Sequence, residues 1–209
     1  MTIESDTQAP AEKETGRIEA FSDGVFSVAL TLLVVDLRPP SLAHISVAQF
    51  WHSLGAMWPA YFAFVTSFAS VLIMWVHHHT IFRLARRPDA PLLFANGFLL
   101  LMVVLVPFPT AVVADYLTTP AARVACLFYS SIFVVLAISF RVLLWAVLRQ
   151  CGLSMPAMQK LRRSYRLGPP GYLLAALAAL FSAWLSLGII TALWFLWAIV
   201  AVRAEPCEQ

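Results

Sequence analysis

Asp23 is an acid in an expensive place. It stands in an otherwise apolar run, with Arg17, Glu19 and Ser22 before it and Ser27 and Thr31 after it. A carboxyl group at membrane depth must face protein or a water-filled path, where it acts either as a proton or ion site or as a buried hydrogen-bond anchor. The second chemistry-bearing group is the run His77, His78, His79. Zinc-binding helices use pairs four residues apart, because neighbouring side chains diverge by about 100°. No His, Cys, Asp or Glu stands at Ile73, Ile81 or Phe82 to complete a pair, so no metal site is expected. The histidines read instead as the end of a membrane helix, with one turned inward to hydrogen-bond the first helix. Asn96 reads as a further interhelical contact, a hydrogen bond of about 1 kcal/mol. Arg141 reads as a snorkelling or paired side chain, since a single arginine does not make a voltage sensor.

Long apolar segments must position these residues. A hydrocarbon core of about 30 Å needs roughly 20 apolar residues per helix. The segments 17–37, 54–77, 92–113 and 124–148 meet that length. The run from Gly171 to Val202, about 48 Å as one helix, is too long for one crossing. Ser182, Ser186 and Gly188 offer a break, and two short helices at about 169–185 and 187–203 are expected. Residues 1–16 read as a polar, disordered tail with no cleaved signal peptide, and residues 204–209 as a second tail. Arg83, Arg86 and Arg87 follow the second segment; Arg149, Lys160, Arg162, Arg163 and Arg166 follow the fourth; only Arg38 and Arg123 lie on the other side. This bias places both termini in the cytoplasm, which requires an even number of crossings. The expectation is an all-α integral membrane protein with six transmembrane helices in the cell membrane.

Composition excludes other classes. The 209 residues are 61% hydrophobic and 12% charged, and the mean hydropathy is +0.81. The pI near 9.0 follows from basic loops, so anionic membrane lipid, not nucleic acid, is the expected partner. Cys126, Cys151 and Cys207 are odd in number and far apart, which gives no disulfide framework. There is no TVGYG filter, P-loop, HExxH or GxSxG, and no loop that would house a catalytic domain, so neither enzyme nor cofactor is expected.

At about 100° per residue the first helix separates into two faces. Asp23, Ser27, Leu30 and Val34 share one, and the acid there calls for a partner; locking of the helix is its expected role. Gly24, Val28, Thr31, Leu32 and Val35 share the other, which suits lipid, another helix, or the lining of a narrow conduit. Six short-looped helices leave no polar tunnel within one chain, so a conducting path would form between copies on a symmetry axis. Val28, Leu32 and Val35 would then stack as apolar rings that close by dewetting, with the Thr31 hydroxyl offered to a partly dehydrated cation. Two other readings stand beside this one. One is a proton-coupled secondary transporter using Asp23 and His77; the other is a non-conducting scaffold.

The pattern Arg17-x-x-x-Phe21-Ser22-Asp23, followed by GVFSVALTLLVVDL, resembles the first-helix signature of the transmembrane-protein-175 family of potassium channels. The stretch from Trp75 through His77 and His78, and LVPFPT at 105–110, are similar to that family too. The resemblance implies a homotetramer with the first helices around a central pore and potassium as the permeant ion. It implies a constriction at Val28, Leu32 and Val35, and matches Thr31 to the family's hydroxyl position. It also implies a locking network in which Trp75 and His77 turn inward to Arg17, Ser22 and Asp23. Val28 stands where the family pattern calls for a larger isoleucine or leucine.

Overall fold

The third helix joins the two ends of the chain. It runs from Trp58 to Phe82 (α3) and packs against the first helix on one side and the last helix on another. The structure, a computed structural model, describes residues 9–40, 46–150 and 162–204. The expectations for residues 1–8, Cys151, Lys160, Cys207 and the tail 205–209 lie outside the described residues. All the regular structure described is helical.

The first helix (α1, Ala9–Val35) starts well before Arg17, so the expected tail is helical from Ala9 onward. Pro10 falls in the first turn, where its missing N–H is not needed, and Ala11, Glu12, Lys13 and Glu14 are good helix formers. A short helix, Val47–Ala56 (α2), buries none of its residues. Its start is fixed by a reciprocal cap: Ser46 Oγ accepts from the Gln49 N–H at 3.3 Å, and Gln49 Oε1 accepts from the Ser46 N–H at 3.0 Å. Pro59 lies in the first turn of α3, so it starts that helix without kinking it.

The third crossing is built from Ala90–Leu105 (α4) and Pro107–Tyr116 (α5). Pro107 removes the N–H that would have reached the Val103 carbonyl, and the Val106 N–H takes that acceptor at 3.1 Å. Buried hydroxyls then run across three helices. Tyr129 lies 2.9 Å from Ser67, Ser67 lies 2.7 Å from Thr110, and Thr110 Oγ1 donates to the Val106 carbonyl at 2.8 Å. Tyr129 belongs to the fourth crossing, Ala122–Leu148 (α6), which packs on α4, α5 and both C-terminal helices.

Those C-terminal helices are Gly168–Ala179 (α7) and Ala183–Ala204 (α8). Among the described residues five helical stretches are long and apolar enough to cross a membrane: Thr15–Val35, Trp58–Phe82, Ala90–Tyr116, Ala122–Leu148 and Ala183–Ala201. The expected sixth is not among them, because α7 has 12 residues and spans only about 18 Å. The break falls at Leu180–Ser182, earlier than the sequence suggested. Ser182 Oγ accepts from the Leu185 N–H at 3.4 Å and opens α8. Ser186 and Gly188, expected near the break, lie inside α8, and Ser186 is buried 2.9 Å from Ser130 on α6. Small residues let α7 and α8 approach closely. A Cβ on Gly171 would lie 2.9 Å from Leu193, and one on Gly168 would lie 3.3 Å from the Trp197 ring.

Candidate functional site

The burial pattern of α1 divides the helix cleanly. Ser22, Phe26, Ala29 and Leu33 are fully covered by α3, α4 and α5. Their spacing of four, three and four residues makes one continuous buried stripe. The opposite stripe, Gly24, Val28, Thr31, Leu32 and Val35, faces out of the chain; Val28 is 54% exposed and Val35 66%. The face expected to be buried, with Asp23, Ser27, Leu30 and Val34, is turned about 100° from the one that is. Ser27 and Val34 are exposed, and Asp23 and Leu30 are only half-covered. Thr31 Oγ1 donates to the Val28 carbonyl at 2.8 Å, which leaves its oxygen lone pairs directed away from the helix.

Behind the buried stripe stands a hydrogen-bonded network. Trp75 Nε1–H donates to Asp23 Oδ1 at 2.8 Å, so the acid finds its partner on α3. Asn96 on α4 donates through Nδ2 to Ser22 Oγ at 2.9 Å, and Ser22 in turn donates to the Ile18 carbonyl at 2.8 Å. Asn96 Oδ1 lies 2.9 Å from His78 Nε2. A carbonyl oxygen only accepts, so His78 carries its proton on Nε2. The ring stacks on Phe82 at 4.3 Å between centroids and tilts against Phe26 at 5.3 Å. A further pair reinforces the contact: His79 Nδ1 lies 2.6 Å from Glu19 Oε1.

His77 does not join this network, which corrects the expectation that it meets Arg17, Ser22 and Asp23. Residues 75, 78 and 79 are spaced i, i+3, i+4 and share a helix face, whereas position 77 lies about 200° from position 75. His77 therefore faces the C-terminal helices. Its Nε2 lies 3.1 Å from the Trp197 carbonyl and its Nδ1 2.7 Å from the Tyr165 hydroxyl. The carbonyl fixes the proton on Nε2, so Nδ1 accepts from Tyr165. Burial pushes the Tyr165 phenol well above its ordinary range, so it keeps the proton it donates. Asp23 and His77, paired in the carrier reading, thus address different helices.

Arg17 and Phe21 are likewise outside the network within one chain. Phe21 is 66% exposed. Both line a groove of about 510 Å³ with Ile18, Leu93, Asn96 and Gly97. Spaced four, three and four residues from Arg17 through Phe21 and Gly24 to Val28, they extend the exposed stripe of α1 toward its N-terminal end. Among the described residues no group of three or more His, Cys, Asp or Glu is placed to hold a metal ion.

Residues 17–107 match the family model described as the endosomal/lysosomal potassium channel TMEM175. A potassium channel of Chamaesiphon minutus is 46% identical over 188 residues, which cover 87% of this chain and 92% of that one. The chain belongs to the TMEM175 family. A potassium channel of Streptomyces collinus is 42% identical over 83% of this chain and 86% of its own. The mouse endosomal/lysosomal proton channel TMEM175 is 30% identical over 74% of this chain, which spans 32% of that longer protein. The crystal structure of a lysosomal potassium-selective channel TMEM175 homolog from Chamaesiphon minutus superimposes with a TM-score of 0.84 at 43% identity, covering 90% of this chain and 98% of that one. The TMEM175 family is one of ion channels, not enzymes.

In this TMEM175 chain the region matched by the family model begins at Arg17 and ends at Pro107. It contains every residue of the α1-facing network and none of the partners of His77 outside α3. Sequence reasoning missed His78, the Glu19–His79 pair, and Tyr165 with Trp197. For His78 and His79 the signal was available, since both fall at helical spacing from Trp75. For Tyr165, which follows a run of arginines, and Trp197, one of several tryptophans on an apolar helix, the sequence carries no such signal.

Proposed function

We propose that this chain forms a potassium-selective channel whose path runs between copies, along the outward stripe of α1. The observation that carries this reading is the two-sided character of that helix. One face is buried to the last side chain and tied down by Trp75, Asn96 and Glu19–His79 contacts. The other is apolar, small and open, with the Thr31 hydroxyl at its centre. Exposed faces elsewhere in the chain include bulkier residues, such as Phe94, Leu101, Leu173 and Phe181. Gly24, Val28, Thr31 and Val35 instead allow helices of several copies to approach an axis.

In this arrangement Val28, Leu32 and Val35 form apolar rings that dewet when narrow, and Thr31 offers an oxygen to a cation that has shed part of its water. Potassium, the larger ion, sheds water more cheaply than sodium, which sets the preference. Potassium is the permeant species, and no cofactor takes part. Copies assemble as a homotetramer with six crossings per chain and both termini in the cytoplasm, α7 with its flanking turns making the fifth. The names of the bacterial relatives, and the fit to the crystallised Chamaesiphon homolog, support this reading.

The test is potassium flux from liposomes holding the purified protein, with sodium flux and a proton-gradient control in parallel. Fast potassium flux, slow sodium flux and no proton linkage are expected. Flux strictly tied to a proton gradient and abolished in Asp23→Asn would replace the pore with a carrier.

A further inference from the structure

The end of α6 that carries Arg149 holds a second built feature. Arg141, Trp145 and Arg149 follow one another at four-residue spacing and so share one side of the helix. Facing them, Arg162 and Arg166 are also four residues apart, on the helical turn that leads into α7. Together with Leu144, Leu148 and Tyr165 these side chains enclose a cavity of about 280 Å³. Its floor is rigid, because Tyr165 is 5% exposed and its hydroxyl is held at 2.7 Å by His77. Tyr165 thus anchors the turn that carries Arg162 and Arg166.

Among the described residues, Arg149 alone of these four arginines has a carboxylate within reach. Arg149 lies 3.7 Å from Asp89 and 5.6 Å from the Trp145 ring centre. Among the described residues no carboxylate pairs with Arg141, Arg162 or Arg166. Arg141 stands about 12 Å along the helix from Arg149, inside a stretch apolar enough to cross the bilayer. An arginine at that depth needs an anion or water, and guanidinium forks match the paired oxygens of a phosphate. Trp145, 60% exposed, and the two leucines give the same cavity an apolar wall.

We infer that this cavity is a binding site for the phosphate of an anionic phospholipid from the adjoining leaflet, held between Arg141 and Arg149 on α6 and Arg162 and Arg166 before α7, with Trp145 against the acyl chains. The apolar wall and the membrane depth of Arg141 favour a lipid phosphate over a free one. Basic cavities between membrane helices are a recurrent solution for such headgroups. The site does not depend on the pore: it lies on α6 and the helical turn before α7, and neither contributes to the α1 stripe.

The test is binding of short-chain phosphatidylglycerol to the full-length protein in neutral detergent, followed by native mass spectrometry and by the shift in thermal midpoint. Inorganic phosphate and short-chain phosphatidylcholine serve as the other arms. Phosphatidylglycerol should bind and raise the midpoint, and the other two should do neither at equal concentration. Arg141→Gln with Arg166→Gln should weaken binding about 30-fold. Arg162→Gln, at an exposed position that tolerates substitution, should weaken it about fivefold. Arg83→Gln with Arg86→Gln, basic residues outside the cavity, should leave it unchanged. Equal weakening in that last pair, or unchanged binding in the cavity variants, would overturn the site. Equal binding of inorganic phosphate would overturn the lipid as its occupant.

Discussion

The two sides of α3 use nearly the same residues for opposite ends. On one side Trp75, His78 and His79 reach the first helix, through Asp23, through Asn96 and Ser22, and through Glu19. On the other His77 clasps Tyr165 and Trp197. The first set spreads three separate contacts along an element whose far face is open. The second gathers two contacts on one ring inside a closed aromatic cluster, with Tyr165 and Trp197 each edge-on or tilted to their neighbours. A distributed grip sets the angle of a helix, whereas a single clasp only joins modules. The α1-facing side should therefore govern conduction, and the C-terminal side should govern assembly and stability.

Four substitutions would break or sharpen that contrast, ranked by their effect on stability. Asn96→Leu should be the most damaging, at about 3 kcal/mol, since it strands the buried His78 Nε2–H and returns Ser22 to a single bond. Both the thermal midpoint and ion flux should fall, measured in detergent and in liposomes. His77→Phe should cost about 2 kcal/mol by orphaning the buried Tyr165 hydroxyl and removing the second bond to the Trp197 carbonyl; its midpoint should drop while the ratio of potassium to sodium flux stays that of the unaltered protein. A changed ratio would erase the division between the two sides. Trp75→Phe removes one bond from the half-covered Asp23 and should cost about 1 kcal/mol, yet alter flux more than His77→Phe does. Val28→Ala should be near neutral in stability, within about 0.5 kcal/mol, and still raise flux or admit more sodium, which single-channel recording would read directly. If Val28→Ala and Leu32→Ala are both silent there, the outward stripe is not the lining.

Tyr165 adds a pH test of the same contrast. Its folded phenol holds a proton that the unfolded chain releases near pH 10, the ordinary value for tyrosine. The raised value means that its share of stability is complete below about pH 10 and declines above it. Melting curves of the unaltered protein and of Tyr165→Phe should accordingly converge as pH rises past that point.

Much of this was legible in the sequence, for identifiable reasons. Long apolar runs declare membrane helices, and the stripe Gly24, Val28, Thr31, Leu32, Val35 is a matter of angle alone. What failed was the choice among three adjacent histidines, because each is equally polar and only their relation to Trp75 separates them. The break before α8 was misplaced for a similar reason: Ser182 and Ser186 look alike, but one caps a helix start while the other pairs with Ser130 across a helix interface. The helix at 9–16 was missed because polarity was taken as disorder, although the residue types there favour a helix continuous with α1.

The polar grips on α1 lie at or before Asp23, while its farther half is held by apolar packing of Phe26, Ala29 and Leu33, flanked by Val25 and Leu30. Mechanically this is a beam clamped at one end. Val35 lies about 18 Å beyond Asp23, so a tilt of roughly 5° about the clamp would carry its side chain some 1.5 Å sideways. That is about half the width of a water molecule, and in the proposed channel several beams leaning together would turn a dry throat into a wet one without breaking a single hydrogen bond.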